Sequence, residues 1–61
     1  MNLQLMTCSE VALYLRVPVS RIRYETFLRR IPFIKIGRSV RYSKIKIDEW
    51  IQKNERGGLN D

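Results

Sequence analysis

Residues 7–28, TCSEVALYLRVPVSRIRYETFL, are the most informative part of the sequence about the fold, because they predict two short helices joined by a tight connection. The stretch opens with a threonine followed three residues later by a glutamate, a capping-box pattern that predicts a helix over about residues 8–15. Pro18 ends that helix and suits the first position of another, which we expect from about Val19 to Leu28. Two helices with so short a connection are typical of a helix-turn-helix.

The second helix carries two different faces. At 100° per residue, Val19, Ile22 and Thr26 fall on one side, which we expect to face the core. The outward side mixes polar, basic and aromatic side chains: Ser20, Arg21, Tyr24, Phe27 and Leu28, with Arg23 on the flank. Aromatic side chains beside arginines are unusual on a helix that meets only water, so this face is a candidate reader of nucleic acid. The alternative is that Phe27 and Leu28 pack beneath the next segment, an interpretation we prefer for Leu28.

The segment IPFIKIGRSVRY (residues 31–42) predicts a β-hairpin around Gly37. A three-residue loop over 37–39 would place the apolar side chains on one side of the hairpin and the basic ones on the other. In this register Ile36 pairs with Val40, Ile34 with Tyr42, and Lys35 with Arg41. Like charges directly opposite each other are destabilising, whereas a phosphate between them would reverse the sign. The predicted pairing is therefore a hint of polyanion binding.

Ser43 predicts the cap of a third helix over about residues 44–54, with Ile47, Trp50 and Ile51 as its apolar stripe. Trp50 is expected to anchor this helix on the hairpin and the first helix. The order of elements predicts an α+β fold, a small winged helix-turn-helix with a two-stranded wing and a C-terminal helix. We expect one DNA-binding domain over residues 1–55 and a flexible tail over residues 56–61.

Charge is concentrated in the middle of the chain. Residues 16–46 hold ten basic side chains against one acidic side chain, for +9, whereas residues 1–15 sum to −1 and residues 47–61 to −2. Excess positive charge confined to half of a small domain indicates a surface for a polyanion. The alternative, a generally basic solvated surface, is less consistent with the mildly acidic flanking segments.

Several functional classes find no support in the composition. The chain of 61 residues has no histidine and a single cysteine, Cys8, which cannot form an internal disulfide or complete a zinc site. Cys8 is therefore expected to be a packing residue, and no cofactor or metal is predicted. The six carboxylates form no evident pair with a cleft around them, so an enzyme is not expected. The chain has no run of about 18 apolar residues, and Met1–Leu15 lacks a basic start followed by an apolar stretch, so we expect neither a membrane span nor a signal peptide, and a cytoplasmic setting.

Three segments together resemble a known family. LMTCSEVALYL (residues 5–15), the wing segment and DEWI (residues 48–51) resemble the excisionase and AlpA-like DNA-binding proteins of phages and integrating elements. VPVSRIRY (residues 17–24) is similar to the recognition helix of MerR-type regulators, although the long dimerisation helix and effector domain of that family are absent. Two positions depart from the pattern: Arg29 stands where a glycine is common, and Glu25 where an aromatic residue or leucine is common.

The geometry of the DNA grooves predicts roles for two sets of side chains. The second helix would lie in the major groove, where Arg21 could bind guanine, Phe27 could contact a thymine methyl, and Tyr24 could contact a base edge or phosphate. Ser20 would tolerate any base, and Arg23 better suits a phosphate. On the wing, Arg38 would enter the adjacent minor groove while Lys35 and Arg41 bind the backbone.

The resemblance also implies partners and a role. An excisionase-like factor would bind double-stranded DNA near a recombination site as several neighbouring copies, bend it, and direct an integrase toward excision. An AlpA-like transcriptional regulator would use the same fold at a promoter. An alternative from a different class, based on the positive face and not on the resemblance, is a basic protein-interaction module, such as an anti-repressor, that binds an acidic partner. We expect a prokaryotic, nucleoid-associated protein that is a monomer in solution, because no heptad stripe is present.

Overall fold

The elements follow one another as in a winged helix-turn-helix, with one added strand. The computed structural model describes residues 4–55. Its elements are β1 (Leu5–Met6), α1 (Cys8–Leu15), α2 (Val19–Phe27), β2 (Ile34–Ile36), β3 (Ser39–Ser43) and α3 (Lys44–Lys53). The predicted α+β winged helix-turn-helix is confirmed, although the antiparallel sheet has three strands, in the order β1-β3-β2, instead of two. The predicted tail over residues 56–61 lies outside the described residues.

Side-chain caps begin α1 and α3 where the sequence predicts them. The Thr7 hydroxyl accepts from the Glu10 amide at 3.2 Å, and the Glu10 carboxylate accepts from the Thr7 amide at 2.8 Å. This reciprocal pair satisfies two amides that no helical carbonyl reaches. The Ser43 hydroxyl accepts from the amide of Lys46 at 3.5 Å and begins α3. Pro18 lies one position earlier than predicted, as the N-cap of α2 instead of its first residue.

Both helices of the helix-turn-helix end at an arginine in the left-handed conformation. Arg16 has φ 59°, and the amides of Arg16 and Val17 bond back to carbonyl oxygens of α1 at 3.2 and 3.0 Å. Arg29 has φ 58°, and the amides of Arg29 and Arg30 bond back to carbonyl oxygens of α2 at 3.0 and 2.9 Å. Each pair forms a Schellman motif, for which glycine is the usual left-handed residue. The departure from glycine at Arg29 therefore leaves the helix end intact, at some cost in backbone strain.

The hairpin register differs from the prediction. A two-residue loop of Gly37 and Arg38 replaces the three-residue loop, so that Ile34 pairs with Arg41, Lys35 with Val40, and Ile36 with Ser39. Gly37 has φ +60° while Arg38 is not among the positive-φ residues, which is the pattern of a type II′ turn. The predicted pairs Ile36–Val40, Ile34–Tyr42 and Lys35–Arg41 are therefore wrong.

The physical reason lies in the central strand. Met6 of β1 pairs with Tyr42, whose side chain is only 1% exposed, so Tyr42 sets the face of β3 that meets the core. Val40, two residues earlier, shares that face. The prediction assumed that every apolar side chain of the hairpin faces the core, but Ile36 is 54% exposed. The wing tip extends beyond the core, and there the tight turn determines the register instead.

The core lies between the sheet and the three helices. Its buried side chains come from every helix, from two strands and from the segment after α2: Met6, Val11, Ala12, Ile22, Ile31, Tyr42 and Ile47. Cys8 packs against this cluster, as expected. Trp50 is half-buried, and its indole nitrogen donates to the carbonyl of Arg30 at 2.7 Å, so it fastens α3 to the segment after α2. Ile51, predicted to belong to the apolar stripe of α3, is 36% exposed.

Within residues 4–55, no helix is long and apolar enough to cross a membrane.

Candidate nucleic-acid interface

The outward face of α2 is the most exposed aromatic surface among the described residues. Ile22 is 2% exposed, with Val19 and Thr26 half-buried beside it, which confirms the predicted phase of the helix. Opposite them, Tyr24 is 54% and Phe27 80% exposed. A helix presents these side chains to solvent together because residues three and four apart share a face.

The polar and basic side chains predicted on α2 surround these two aromatic residues. Ser20, Arg21 and Arg23 are all exposed. Leu28 is also 38% exposed, so the interpretation that it packs beneath the next segment is wrong. The outward face of α2 is therefore an apolar centre with a polar and basic margin.

The two arginines of α2 lie on opposite margins of that face. Arg23 lines a groove toward the wing, together with Phe27, Val40 and Tyr42. Arg21 lines a separate hollow toward α3, beside Trp50. The exposed aromatic side chains are thus flanked by positive charge on both sides, an arrangement that matches the two phosphate strands bordering a DNA groove.

A partly buried chain of hydrogen bonds holds α2 against the wing. The Thr26 hydroxyl donates to the carbonyl of Ile22 at 2.8 Å and lies 2.7 Å from the hydroxyl of Tyr42. Since the Thr26 proton is already used, Tyr42 is the donor in the second bond. Burial of the Tyr42 hydroxyl raises its pKa, so it keeps its proton at neutral pH. The bond fixes the position of β3, and with it the wing, relative to α2.

The wing presents one basic residue toward α2. Lys35 lies opposite Val40 in the hairpin and lines a groove with Phe27, Phe33 and Arg29. Because side chains alternate across a strand, Arg41 lies on the other face of the wing, opposite Ile34. Its guanidinium donates to the carbonyl of Val40 at 2.9 Å. The structure therefore does not bring Lys35 and Arg41 together, and a single phosphate held between them is not supported.

Arg38 occupies the second position of the wing turn and is exposed. The structure thus places six of the eight predicted residues around one surface, formed by the outward side of α2 and the wing side that faces it: Ser20, Arg21, Arg23, Tyr24, Phe27 and Lys35. Arg38 lies at the tip of the wing and Arg41 on its far side.

Sequence reasoning missed an ionic cluster beside this surface. The Glu25 carboxylate accepts two hydrogen bonds from the Arg30 guanidinium, from Nε at 3.0 Å and from Nη2 at 3.3 Å. The Arg21 guanidinium approaches the same carboxylate to 3.7 Å. The spacing of Arg21 and Glu25 by four residues was visible in the sequence. The approach of Arg30 was not, because it depends on the left-handed turn at Arg29.

A second polar cluster lies away from this surface, between α1 and α3. The Tyr14 hydroxyl donates to the Asp48 carboxylate at 2.6 Å, and Lys44 donates to the same carboxylate at 3.0 Å. These two bonds lower the pKa of Asp48, the one from Tyr14 contributing most. The pKa of Lys44 is raised, chiefly by its hydrogen bond to Asp48. The cluster joins the two helices and has no part in the outward face of α2.

Within the described part of the chain, no group of three or more histidine, cysteine, aspartate or glutamate side chains could hold a metal ion.

A tight helix-turn-helix with an exposed second helix and an adjacent wing defines a class, the small DNA-binding helix-turn-helix domains. A family model described as a helix-turn-helix domain matches residues 5–55. The chain belongs to this family, which includes excisionase-like and AlpA-like proteins. No curated protein and no solved structure matches the chain.

Proposed function

We propose that this protein binds duplex DNA sequence-specifically, with α2 in the major groove and the wing against the neighbouring backbone. The observation that carries the proposal is the outward face of α2, where exposed Tyr24 and Phe27 lie between arginines on both margins. Covering these exposed aromatic side chains with a partner is favourable, because it removes apolar surface from water. The flanking positive charge favours a polyanion as that partner.

Each side chain has a role that its position supports. Phe27, central and apolar, meets a thymine methyl, while Ser20 and Tyr24 lie where base edges would pass. Arg21 takes a guanine on the α3 side. Arg23 and Lys35 border the groove between α2 and the wing and bind phosphates of one strand.

The wing tip and its far side have separate roles. Arg38 at the turn reaches into the adjacent minor groove. Arg41 would contact the DNA backbone only on the far face of the wing, and only after its guanidinium breaks its hydrogen bond to the carbonyl of Val40. Its contribution to DNA binding should therefore be smaller than that of Lys35.

Within DNA binding, we propose the role of an excisionase-like factor that binds and bends an attachment site and directs an integrase toward excision. The resemblance of residues 5–15, 31–42 and 48–51 to excisionase-like proteins and membership of the helix-turn-helix family that includes them support this role. An AlpA-like regulator acting at a promoter is the alternative within the same family. The arrangement of sites in DNA separates them: direct repeats beside an integrase gene indicate the first, and a single promoter site the second.

The test is selection of bound sequences from a randomised duplex pool, followed by titration of the selected duplex at several salt concentrations. We expect a defined motif and a log–log salt slope of roughly −2 to −3, corresponding to the phosphate contacts of Arg23 and Lys35 and a smaller one from Arg41. Arg23→Ala should flatten that slope by about 0.9, the value for one phosphate contact. Lys53→Ala removes the same charge from the end of α3, outside the proposed surface, and should leave the slope unchanged.

Absence of an enriched motif would refute sequence-specific binding. If only weak, salt-sensitive binding remains, the basic face serves an acidic protein partner instead, as in an anti-repressor. If Lys53→Ala and Arg23→Ala flatten the slope equally, the outward face of α2 is not the contact surface.

A further inference from the structure

Glu25 is the single acidic side chain among residues 16–46, and the structure places it on the recognition helix. It lies in the last turn of α2, where a carboxylate interacts unfavourably with the helix dipole. Its side chain is only 15% exposed. A negative charge at this position destabilises the helix end and repels DNA phosphates, so neither helix stability nor charge attraction explains why a glutamate is found here.

The contacts of Glu25 supply one. It accepts a two-point hydrogen bond from Arg30 at 3.0 and 3.3 Å and lies 3.7 Å from the Arg21 guanidinium. Both arginine side chains remain more than half exposed, at 56% for Arg30 and 61% for Arg21, and are therefore within reach of a ligand. The two arginine side chains are exposed but the Glu25 carboxylate is largely buried, so the two-point bond stabilises the end of α2 and also sets where both guanidinium groups lie.

Arg30 is fixed by its backbone as well as by its side chain. Its amide donates to the carbonyl of Glu25 at 2.9 Å, and its carbonyl accepts from the Trp50 indole at 2.7 Å. From this position its guanidinium lies 5.7 Å from the centre of the Tyr24 ring, close enough for a cation–π contact. Glu25 thus orders one side of the outward face of α2, from Arg21 through Arg30 to Tyr24.

We propose that Glu25 is a positioning and specificity residue of the recognition helix, an inference that rests on the proposed DNA binding. Its carboxylate holds Arg21 and Arg30 in one arrangement. It thereby prevents both arginines from binding phosphates non-specifically, whatever the DNA sequence. Arg21 is left with a restricted geometry, suited to one base, and Tyr24 with a fixed ring position. The carboxylate lowers the affinity for random DNA and thereby raises the ratio of specific to non-specific binding.

The experiment compares Glu25→Gln with Glu49→Gln. Glutamine keeps the shape of the side chain and removes the charge that holds the arginines. Glu49 pairs with Lys46 at 3.7 Å on α3, so its variant gives the same change in net charge away from α2. Each protein is titrated with the selected duplex and with a random-sequence duplex of equal length, and the base selection is repeated with each variant.

We expect the log–log salt slope of Glu25→Gln on random duplex to be steeper than that of the wild type by up to about 1.8, or about 0.9 for each released arginine. Over a fourfold rise in salt, from about 50 to about 200 mM, this slope corresponds to an affinity loss roughly tenfold greater than that of the wild type. The ratio of affinities for selected and random duplex should fall, and one position of the selected motif should lose its base preference. Glu49→Gln should show none of these changes.

Equal slopes for Glu25→Gln and Glu49→Gln would overturn the inference while leaving the proposed function intact, since the wild type would still select a motif. Failure of the wild type to bind any duplex would refute both the inference about Glu25 and the proposed DNA binding. If Glu25→Gln does not fold, Arg30→Gln decides the question. An arginine that Glu25 already holds makes no phosphate contact, so its loss should leave the slope on random duplex unchanged. A flattening by about 0.9 would refute the proposal.

Discussion

The hydrogen bond between Tyr42 and Thr26 offers the sharpest test of how the wing is attached to α2. Tyr42 is 1% exposed, and its hydroxyl donates to the Thr26 oxygen at 2.7 Å, while Thr26 donates to the carbonyl of Ile22 at 2.8 Å. Two substitutions remove one partner each with little change of shape. Tyr42→Phe deletes the donor, and Thr26→Val replaces the acceptor by a methyl group.

The expected costs follow from what each variant leaves behind. Tyr42→Phe loses one net hydrogen bond and should lower the free energy of unfolding by about 1–1.5 kcal/mol. Thr26→Val leaves the buried Tyr42 hydroxyl without its acceptor, which should cost about 2 kcal/mol. In the double variant neither polar partner remains, so the total loss should be about 1–2 kcal/mol, less than the sum of the two. A domain of this size is expected to lose roughly 4–8 °C of Tm for each kcal/mol.

The assay is urea denaturation of the four proteins, followed by the fluorescence of Trp50, the single tryptophan of the chain. The cycle isolates the coupling between the two hydroxyls as long as the dependence on urea is the same in all four. A coupling energy of at least about 1 kcal/mol is expected. Costs that add to within about 0.3 kcal/mol would refute the bond and, with it, the argument that it sets the position of the wing.

Three further substitutions test other parts of the structure. Arg29→Gly relieves a left-handed backbone with φ 58° and should raise the free energy of unfolding by about 1 kcal/mol, measured by thermal melting; a loss of stability would contradict this. Trp50→Ala should cost about 3 kcal/mol or more and leave little folded protein, so a cooperative melt near the wild-type temperature would contradict its anchoring role. Tyr14→Phe should raise the pKa of Asp48, measured by NMR titration. Because the folded-state pKa of Asp48 is depressed, its stabilising contribution is present at neutral pH and lost below about pH 4, and the stability difference between Tyr14→Phe and the wild type should shrink there.

Local signals in the sequence were sufficient to predict most of the helical architecture. The capping box at Thr7, the serine cap of α3 and the break at Pro18 act on amides and carbonyls a few residues away. The phase of α2 follows from the period of the helix, so the exposed aromatic side chains were predictable as well. These features depend only on interactions between residues a few positions apart, so they can be predicted from a single sequence.

Tertiary structure decided the features that join distant residues. β1 is two residues long and exists because β3 offers it an edge, where Met6 pairs with Tyr42. The wing register follows from the burial of Tyr42 and from the turn at Gly37, not from the apolar pattern of the hairpin. This register also places Lys35 and Arg41 on opposite faces of the wing, whereas the alternation of apolar and basic residues had predicted that they pair.

The same division holds for the proposed site. The exposed aromatic and basic side chains of α2 were predictable from the sequence alone, because helical period and composition are local properties. Only the folded chain brings Arg30 onto Glu25, since the left-handed turn at Arg29 redirects the backbone and Trp50 holds it there. Charges that meet across a turn have no periodic signature in the sequence, and their pairing is known only once the path of the chain is known.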